Sequence, residues 1–261
     1  MTYVWDSGSR EWQERAEPGV LNDAWFRLPS SGCTAHWNFT NLGASLTDTI
    51  NSIVLAPHVT YPDVTASSWR GVPCIDTSIN GFLEGWDEQL RWLGDITIEG
   101  ILVRHSSEAT TSKSSSTSAF IISRGNYESE SLKDNYPYAA QFTDYGTQIR
   151  WDHENDAGVG NPTKLGYCAA LETPTYIAWV RDGYEVKGYC FGELTGSGTV
   201  ANLPNGATSI EQTITIGGDK ELNYGPSSTN MSIFSAGITK YARTAEDIRD
   251  RWQASLAGYY I

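Results

Sequence analysis

Gln212-Thr213-Ile214-Thr215-Ile216-Gly217-Gly218, and then Phe234-Ser235-Ala236-Gly237-Ile238-Thr239-Lys240-Tyr241-Ala242-Arg243-Thr244-Ala245-Glu246-Asp247-Ile248, are the two stretches that decide the fold. The first alternates polar and apolar residues with the period of a β-strand and stops at a glycine pair. The second reads as a strand that runs directly into a helix. Thr244 is a good N-cap, Glu246 and Asp247 favour the positive end of the helix, and Ile248, Trp252 and Leu256 recur on one helical face. That face is expected to pack on the body of the protein.

Working outward, the rest of the chain carries strand signals. Ala35 to Phe39 alternates around Trp37 and Phe39, and Ile50 to Ala56 is a short apolar run ended by Pro57. Val72 to Ile79 and Phe82-Leu83 flank Asn80-Gly81, a dipeptide suited to tight hairpins because both positions tolerate positive φ. Asp95 to Val103 is long enough for a core strand. Phe120 to Ser123, Tyr138 to Phe142 and Gln148 to Trp151 predict shorter strands, and residues 106–118 form a Ser/Thr run with little to bury. Tyr176 to Val180 and Glu185 to Phe191 predict a hairpin about Asp182-Gly183. With 25 glycines, many Thr, Val and Ile and few helix formers, the chain reads as all-β. No long linker divides it, so one large domain is expected, and at this length it needs no staple to bury a core.

The order of these pieces resembles the laminin-G-like, concanavalin-A-like group of domains over roughly residues 31 to 256. Ala35-His36-Trp37-Asn38-Phe39 resembles its opening strand, and Gly94 to Glu99 a central one. Ala178 to Gly183 with Gly188 to Gly192 resembles its central hairpin, and Phe234 to Ile248 its closing strand and helix. One departure is Phe191, where the group usually has Asp before the glycine. The resemblance implies a two-sheet antiparallel jelly-roll sandwich spanning 31–261, with an N-terminal arm at 1–30 and a short C-terminal helix. It also implies carbohydrate or protein binding, often assisted by calcium.

The arm carries Trp5, Trp12 and Trp25. Tryptophans exposed to water want a partner surface, so the arm is expected either to lie as a strap over the sandwich or to dock on a neighbouring subunit. Net charge is −13, from 18 Lys+Arg against 31 Asp+Glu. This disfavours nucleic acid and anionic membranes. No export signal and no apolar stretch of the length that spans a bilayer are present, so synthesis in the cytoplasm without membrane insertion is expected. The cysteines Cys33, Cys74, Cys168 and Cys190 form no C-x-x-C pair. Two disulfides are formally available, but buried free thiols are the expectation.

Catalysis finds little support. Glu84-Gly85-Trp86-Asp87-Glu88 lacks the E-x-D-x-x-E spacing that places paired carboxylates in one cleft, and Glu246 to Asp250 falls on the helix. No G-x-S-x-G elbow accompanies His36, His58, His105 or His153. For sugar recognition, aromatic faces beside polar groups single out Trp86, Asp87, Tyr127, Tyr136 and Tyr138. For calcium, Asp152, Glu154 and Asp156 offer hard oxygens at alternate positions, although Ala157 and Thr163 stand where an EF-hand needs Gly and Glu.

The reading that follows is a non-catalytic protein that recognises or assembles. A lone jelly roll without a leader suits a phage virion component: a capsid-decoration, tail or fibre protein made in the host cytoplasm, carried in several copies on the particle surface beside other virion proteins, and meeting glycans. The alternatives are a carbohydrate-binding module of a cell-associated protein and a glycoside hydrolase.

Overall fold

The computed structural model describes residues 2–6, 11–15, 23–40, 46–90, 92–105, 118–124, 137–143, 148–153, 162–168, 171–204, 213–218 and 231–256. It is an all-β sandwich of two antiparallel layers with one C-terminal helix, as the sequence predicts. The strands are β1 (Thr2–Asp6), β2 (Glu11–Arg15), β3 (Ala35–Asn38), β4 (Ala56–Trp69), β5 (Val72–Trp86), β6 (Ile96–Arg104), β7 (Ser118–Arg124) and β8 (Tyr138–Thr143). They continue with β9 (Gln148–Asp152), β10 (Thr163–Tyr167), β11 (Thr175–Asp182), β12 (Glu185–Cys190), β13 (Glu193–Thr199), β14 (Thr213–Ile216) and β15 (Met231–Thr239), and α1 (Ala245–Ala254) follows. No helix among the described residues is long and apolar enough to cross a membrane.

One hydrogen-bonded path runs β10-β9-β8-β7-β14-β5-β15-β6-β11-β12-β13. It becomes two layers because β5 belongs to both. Ile75 to Thr77 pair with β15, whereas Leu83 to Trp86 pair with β14. Asn80-Gly81 is therefore no hairpin turn: the strand continues through it, with Gly81 opposite Pro62 of β4. Pro57 likewise does not end a strand but lies inside β4, which among the described residues pairs only with β5. An edge strand tolerates proline because its outward N–H has no ladder partner to lose. The predicted hairpin at Asp182-Gly183 does form. Asp182 pairs with Glu185 across a Gly183-Tyr184 loop, and Gly183 has φ +55°.

Alternation sorts the side chains into two cores. Trp37, Ile98, Leu102, Trp151, Ile177, Trp179, Ile214, Ile216 and Ile233 fill the space between the layers. Trp179 is fully buried, stacked on Phe120 at 5.4 Å and edge-on to Phe142 at 5.4 Å. Contacts of this kind add about 0.5–1.5 kcal/mol beyond the area buried. Gly100 makes the stack fit, since a Cβ there would lie 2.2 Å from Phe120 Cζ. The opposite face of the β15-β6-β11 layer presents Ile101, Val103, Tyr176, Ala178, Val180 and Phe234, which are covered by Phe26, Leu28, Trp69 and α1. Phe26 lies 4.7 Å from Phe234 between ring centroids, and Ser235 Oγ donates to Phe26 O while accepting from Leu28 N. Residues 26–28 thus strap the sheet. Among the described residues β1 and β2 instead pair only with each other, with Trp5 directly opposite Trp12. The side chains of Trp5 and Trp12 lie outside the described part; Trp25 is half-buried against the outer core.

The helix begins as the sequence predicts, with a capping box between Thr244 and Asp247, and it buries Ile248, with Leu256 just beyond its end. The Thr244 hydrogen bonds hold the Asp247 carboxyl below its ordinary range. Arg251 of α1 reaches a fully buried carboxylate, Glu99 of β6, through Nε to Oε2 at 2.7 Å and Nη2 to Oε1 at 2.5 Å. Tyr176 donates to Glu99 Oε2 at 2.9 Å, and Arg243 approaches Oε1 at 3.6 Å. Arg251 also donates to Pro29 O and Ser31 O. This network ties helix, strap and sheet together.

The expectation of free thiols holds for Cys33 and Cys74 and fails for the other two. Cys168 and Cys190 form a disulfide across a Cα separation of 5.9 Å. Layer closure brings them together: Thr195 of β13 donates to Leu165 O of β10, so the two ends of the strand path meet.

Candidate functional site

The site is built on the segment that leaves β5. Leu83 faces the inner core, so alternation turns Glu84 and Trp86 to the outer face. Trp86 is 53% exposed. Gly85 beneath it is dictated by space, because a Cβ would lie 2.7 Å from Val54 O. Asp87 then starts a turn: its Oδ1 accepts from Gln89 N at 2.7 Å and its carbonyl from Leu90 N at 3.0 Å, giving the short 3-10 helix Glu88–Leu90. Trp92 is half-buried, and its indole donates to Asp95 O at 2.7 Å. Across from it Lys240, just beyond β15, places its ammonium 5.1 Å from the Trp92 ring centre, near enough to Asp87 to feel that carboxylate. Tyr241, the next residue, is 46% exposed.

This corner is pinned from below by two buried polar side chains. The Tyr138 hydroxyl donates to Leu90 O at 2.8 Å. Arg181, 1% exposed at the inner end of β11, donates from Nη2 to Leu93 O at 2.6 Å and also to Gly94 O. Burial lowers the Arg181 pKa to about 10, so it stays charged at neutral pH. Its Nε and Nη1 have no hydrogen-bond partner among the described residues, and the guanidinium stands 5.9 Å from the Trp151 ring centre. Burying an incompletely paired cation costs several kcal/mol. What it secures is a rigid loop, held by charge-assisted bonds, that fixes Trp92 and presents the surface around Trp86.

Two sequence-predicted sugar contacts, Trp86 and Asp87, thus sit together. Tyr138 does not join them as a binding face: it is 1% exposed, inside the core, and acts through its hydroxyl on Leu90. Its alternation with Ala140 and Phe142, both inward, is the reason. Tyr127 and Tyr136 lie outside the described residues. Sequence reasoning missed Trp92, Lys240 and Arg181. No local pattern links them, although the Trp-Leu-Gly-Asp turn at 92–95 was a visible signal.

Of the predicted calcium ligands, Glu154 and Asp156 lie outside the described residues. Asp152 is 2% exposed, ion-paired with Arg150, and accepts from His153 N at 2.9 Å. Its charge is already balanced, and among the described residues no three His, Cys, Asp or Glu gather as a metal site. The His153 ring bonds elsewhere. Its Nδ1 accepts from Trp151 Nε1 at 3.0 Å and its Nε2 lies 2.7 Å from Asn202 O, the bonding of a neutral ring. Burial lowers its pKa accordingly.

One constellation has the residue types of nucleophilic catalysis. His105 Nδ1 lies 3.0 Å from Glu172 Oε2, and Nε2 lies 2.7 Å from Ser232 Oγ. The wiring is wrong for that chemistry. Ser232 Oγ donates to Asp76 Oδ1 at 2.5 Å, so its single hydrogen points away from His105. Ser232 is also 2% exposed, in the middle of a sheet. An activated nucleophile needs its hydroxyl hydrogen on the base and its oxygen open to substrate.

No protein-family model matches the sequence, and no characterised protein matches it. Solved structures share the fold. The receptor-binding domain of botulinum neurotoxin mosaic serotype C/D superposes with TM-score 0.62 at 12% identity, covering 85% of this chain and 50% of that one. The binding domain of botulinum neurotoxin DC in complex with SialylT gives 0.60 at 12% identity, covering 87% and 52%. Domain 4 of AbnA, a GH43 extracellular arabinanase from Geobacillus stearothermophilus, in complex with arabinotriose, gives 0.59 at 16% identity, covering 85% of this chain and 98% of that domain. The chain spans about half the length of the neurotoxin domains. These likenesses establish the sandwich fold.

Proposed function

We propose that this chain is a non-catalytic glycan-recognition module whose binding surface is the Trp86 corner. The observation that carries the reading is an exposed indole at the end of β5, where the chain enters a loop pinned by buried Arg181 and Tyr138; the neighbouring Asp87 carboxylate lies near enough to attract the Lys240 ammonium. A flat apolar ring next to a few fixed polar groups is what a sugar needs: its C–H face stacks on the ring and its hydroxyls reach the polar groups. Similar sandwiches solved with a bound arabinotriose or as receptor-binding domains support this reading. The test is a glycan array followed by titration of the best binder. Trp86→Ala should weaken binding by about 2 kcal/mol, roughly 30-fold, with the melting temperature unchanged because the ring is largely outside the core. Unaltered affinity in that variant removes Trp86 from the site.

We further propose that the N-terminal hairpin is an assembly element. A two-stranded hairpin on its own is at best marginally stable, and β1–β2 pairs with neither layer among the described residues. Trp5 and Trp12 face each other in its register. In this reading residues 1–20 dock on a neighbouring protein of a particle, as a capsid-decoration or tail component at a virion surface, and present the glycan site outward. The alternative, a carbohydrate-binding module on a cell, is favoured by the Cys168–Cys190 disulfide, which suits an oxidising exterior. Deleting residues 1–20 should abolish incorporation into purified particles while glycan binding persists. Full incorporation of the truncated chain overturns the docking role.

A further inference from the structure

We infer that the Trp86 corner selects glycans bearing a carboxylate, with Lys240 as the counter-charge. The inference rests on the glycan reading above and adds the chemical class of the ligand. Its starting point is a charge imbalance. The chain carries −13 overall, and its described cations are mostly occupied. Lys187 pairs with Glu185 at 2.7 Å, Arg249 with Glu193 at 3.3 Å, Arg150 with Asp152, and Arg251 with Glu99. The Lys240 ammonium forms no ion pair and no hydrogen bond among the described residues; its partner is the π face of Trp92. Asp87 attracts it from a distance, while the Asp87 carboxylate is engaged by the backbone N–H of Gln89.

Three features make this ammonium a recognition group. Its backbone is fixed, since Lys240 N donates to Thr34 Oγ1 at 3.3 Å, and Trp92 below it is fixed through Asp95. The cation–π contact occupies one side of the ammonium and leaves N–H donors for a ligand. Partial burial has already removed some of its water and lowers its pKa, so an arriving anion meets a less screened charge than at an open surface. The same corner limits the ligand's charge. Asp87 and the exposed Glu88 repel further negative groups, so a single acidic sugar within an oligosaccharide fits and a densely charged polymer does not. An oligosaccharide that stacks one ring on Trp86 and carries its carboxylate past Asp87 to Lys240 would satisfy both halves of the site.

The experiment titrates matched neutral and carboxylated sugars at fixed ionic strength: lactose against sialyllactose, and cellobiose against cellobiouronic acid, together with the acidic and neutral hits of the glycan array. The acidic member should bind about tenfold more tightly. Lys240→Gln should bring the acidic member down to the level of its neutral partner measured in the same variant, and Lys240→Arg should retain the preference. Equal affinity for neutral and acidic members, or an acid preference that survives Lys240→Gln, overturns the inference and leaves the glycan reading intact. No binding of any glycan by the wild-type chain overturns both.

Discussion

Replacing Glu99 with alanine is expected to cost about 3–5 kcal/mol of folding stability, because it strands two buried arginines without their counter-ion. Glu99 has no solvent exposure, and Arg243 and Arg251 are 7% and 5% exposed. The pair with Arg251 is bidentate and Tyr176 donates to the same carboxylate, so it satisfies two side chains at once, with Arg243 Nε 3.6 Å from Oε1. The network also explains the raised Tyr176 pKa, which reflects burial first and the neighbouring Glu99 charge second. A shift of the urea midpoint by that amount, with the slope unchanged, checks the expectation. Glu99→Gln, which keeps the shape and one acceptor oxygen, should cost less. Replacing Glu99, Arg243 and Arg251 together by apolar residues of similar volume should recover most of the loss, since a whole buried ion cluster is worth far less than its fragments. If Glu99→Ala unfolds at the wild-type midpoint, the network contributes nothing to stability.

Removing the disulfide is the second large effect. Cys168 and Cys190 are 22 residues apart, and closing a loop of that size in the unfolded chain corresponds to about 3 kcal/mol. The site is reinforced from inside the sandwich. Arg104, 1% exposed, donates to Cys168 O and lies 5.1 Å from the Phe142 ring centre, with its pKa lowered to about 10 by burial. The Cys168→Ala, Cys190→Ala double variant should lose about 3 kcal/mol in chemical denaturation, and the wild type under reducing conditions should match it. Equal midpoints with and without reductant show the bridge to be energetically idle. The proposed glycan site, which rests on Arg181 and Tyr138 and not on this bridge, should keep its affinity in the double variant at temperatures where the chain remains folded.

The fold was legible where local and tertiary preferences agree. β11 and β12 meet at Asp182-Gly183 because a turn-forming dipeptide sits between two apolar runs, and α1 starts at Thr244 because the capping residues and the apolar stripe coincide. They disagreed at Asn80-Gly81. The dipeptide permits a turn, but Leu83 to Trp86 gain more by pairing with β14, a partner far along the chain, and β5 runs on. The candidate site divides the same way. Trp86 and Asp87 are adjacent in sequence and were found together. Lys240 and Trp92 meet only through the β6–β15 pairing, in which Thr97 lies opposite Thr239, and a single sequence holds no local trace of it. Tyr138 was misassigned although alternation with Ala140 and Phe142 already pointed it inward.

Because β5 is woven into both layers, the sandwich has no seam along which its halves can part while each stays whole. Any gap opened between them must tear this one ribbon from β15 or from β14. The corner proposed to bind glycans, at the far end of this ribbon, therefore sits on an anchor secured twice.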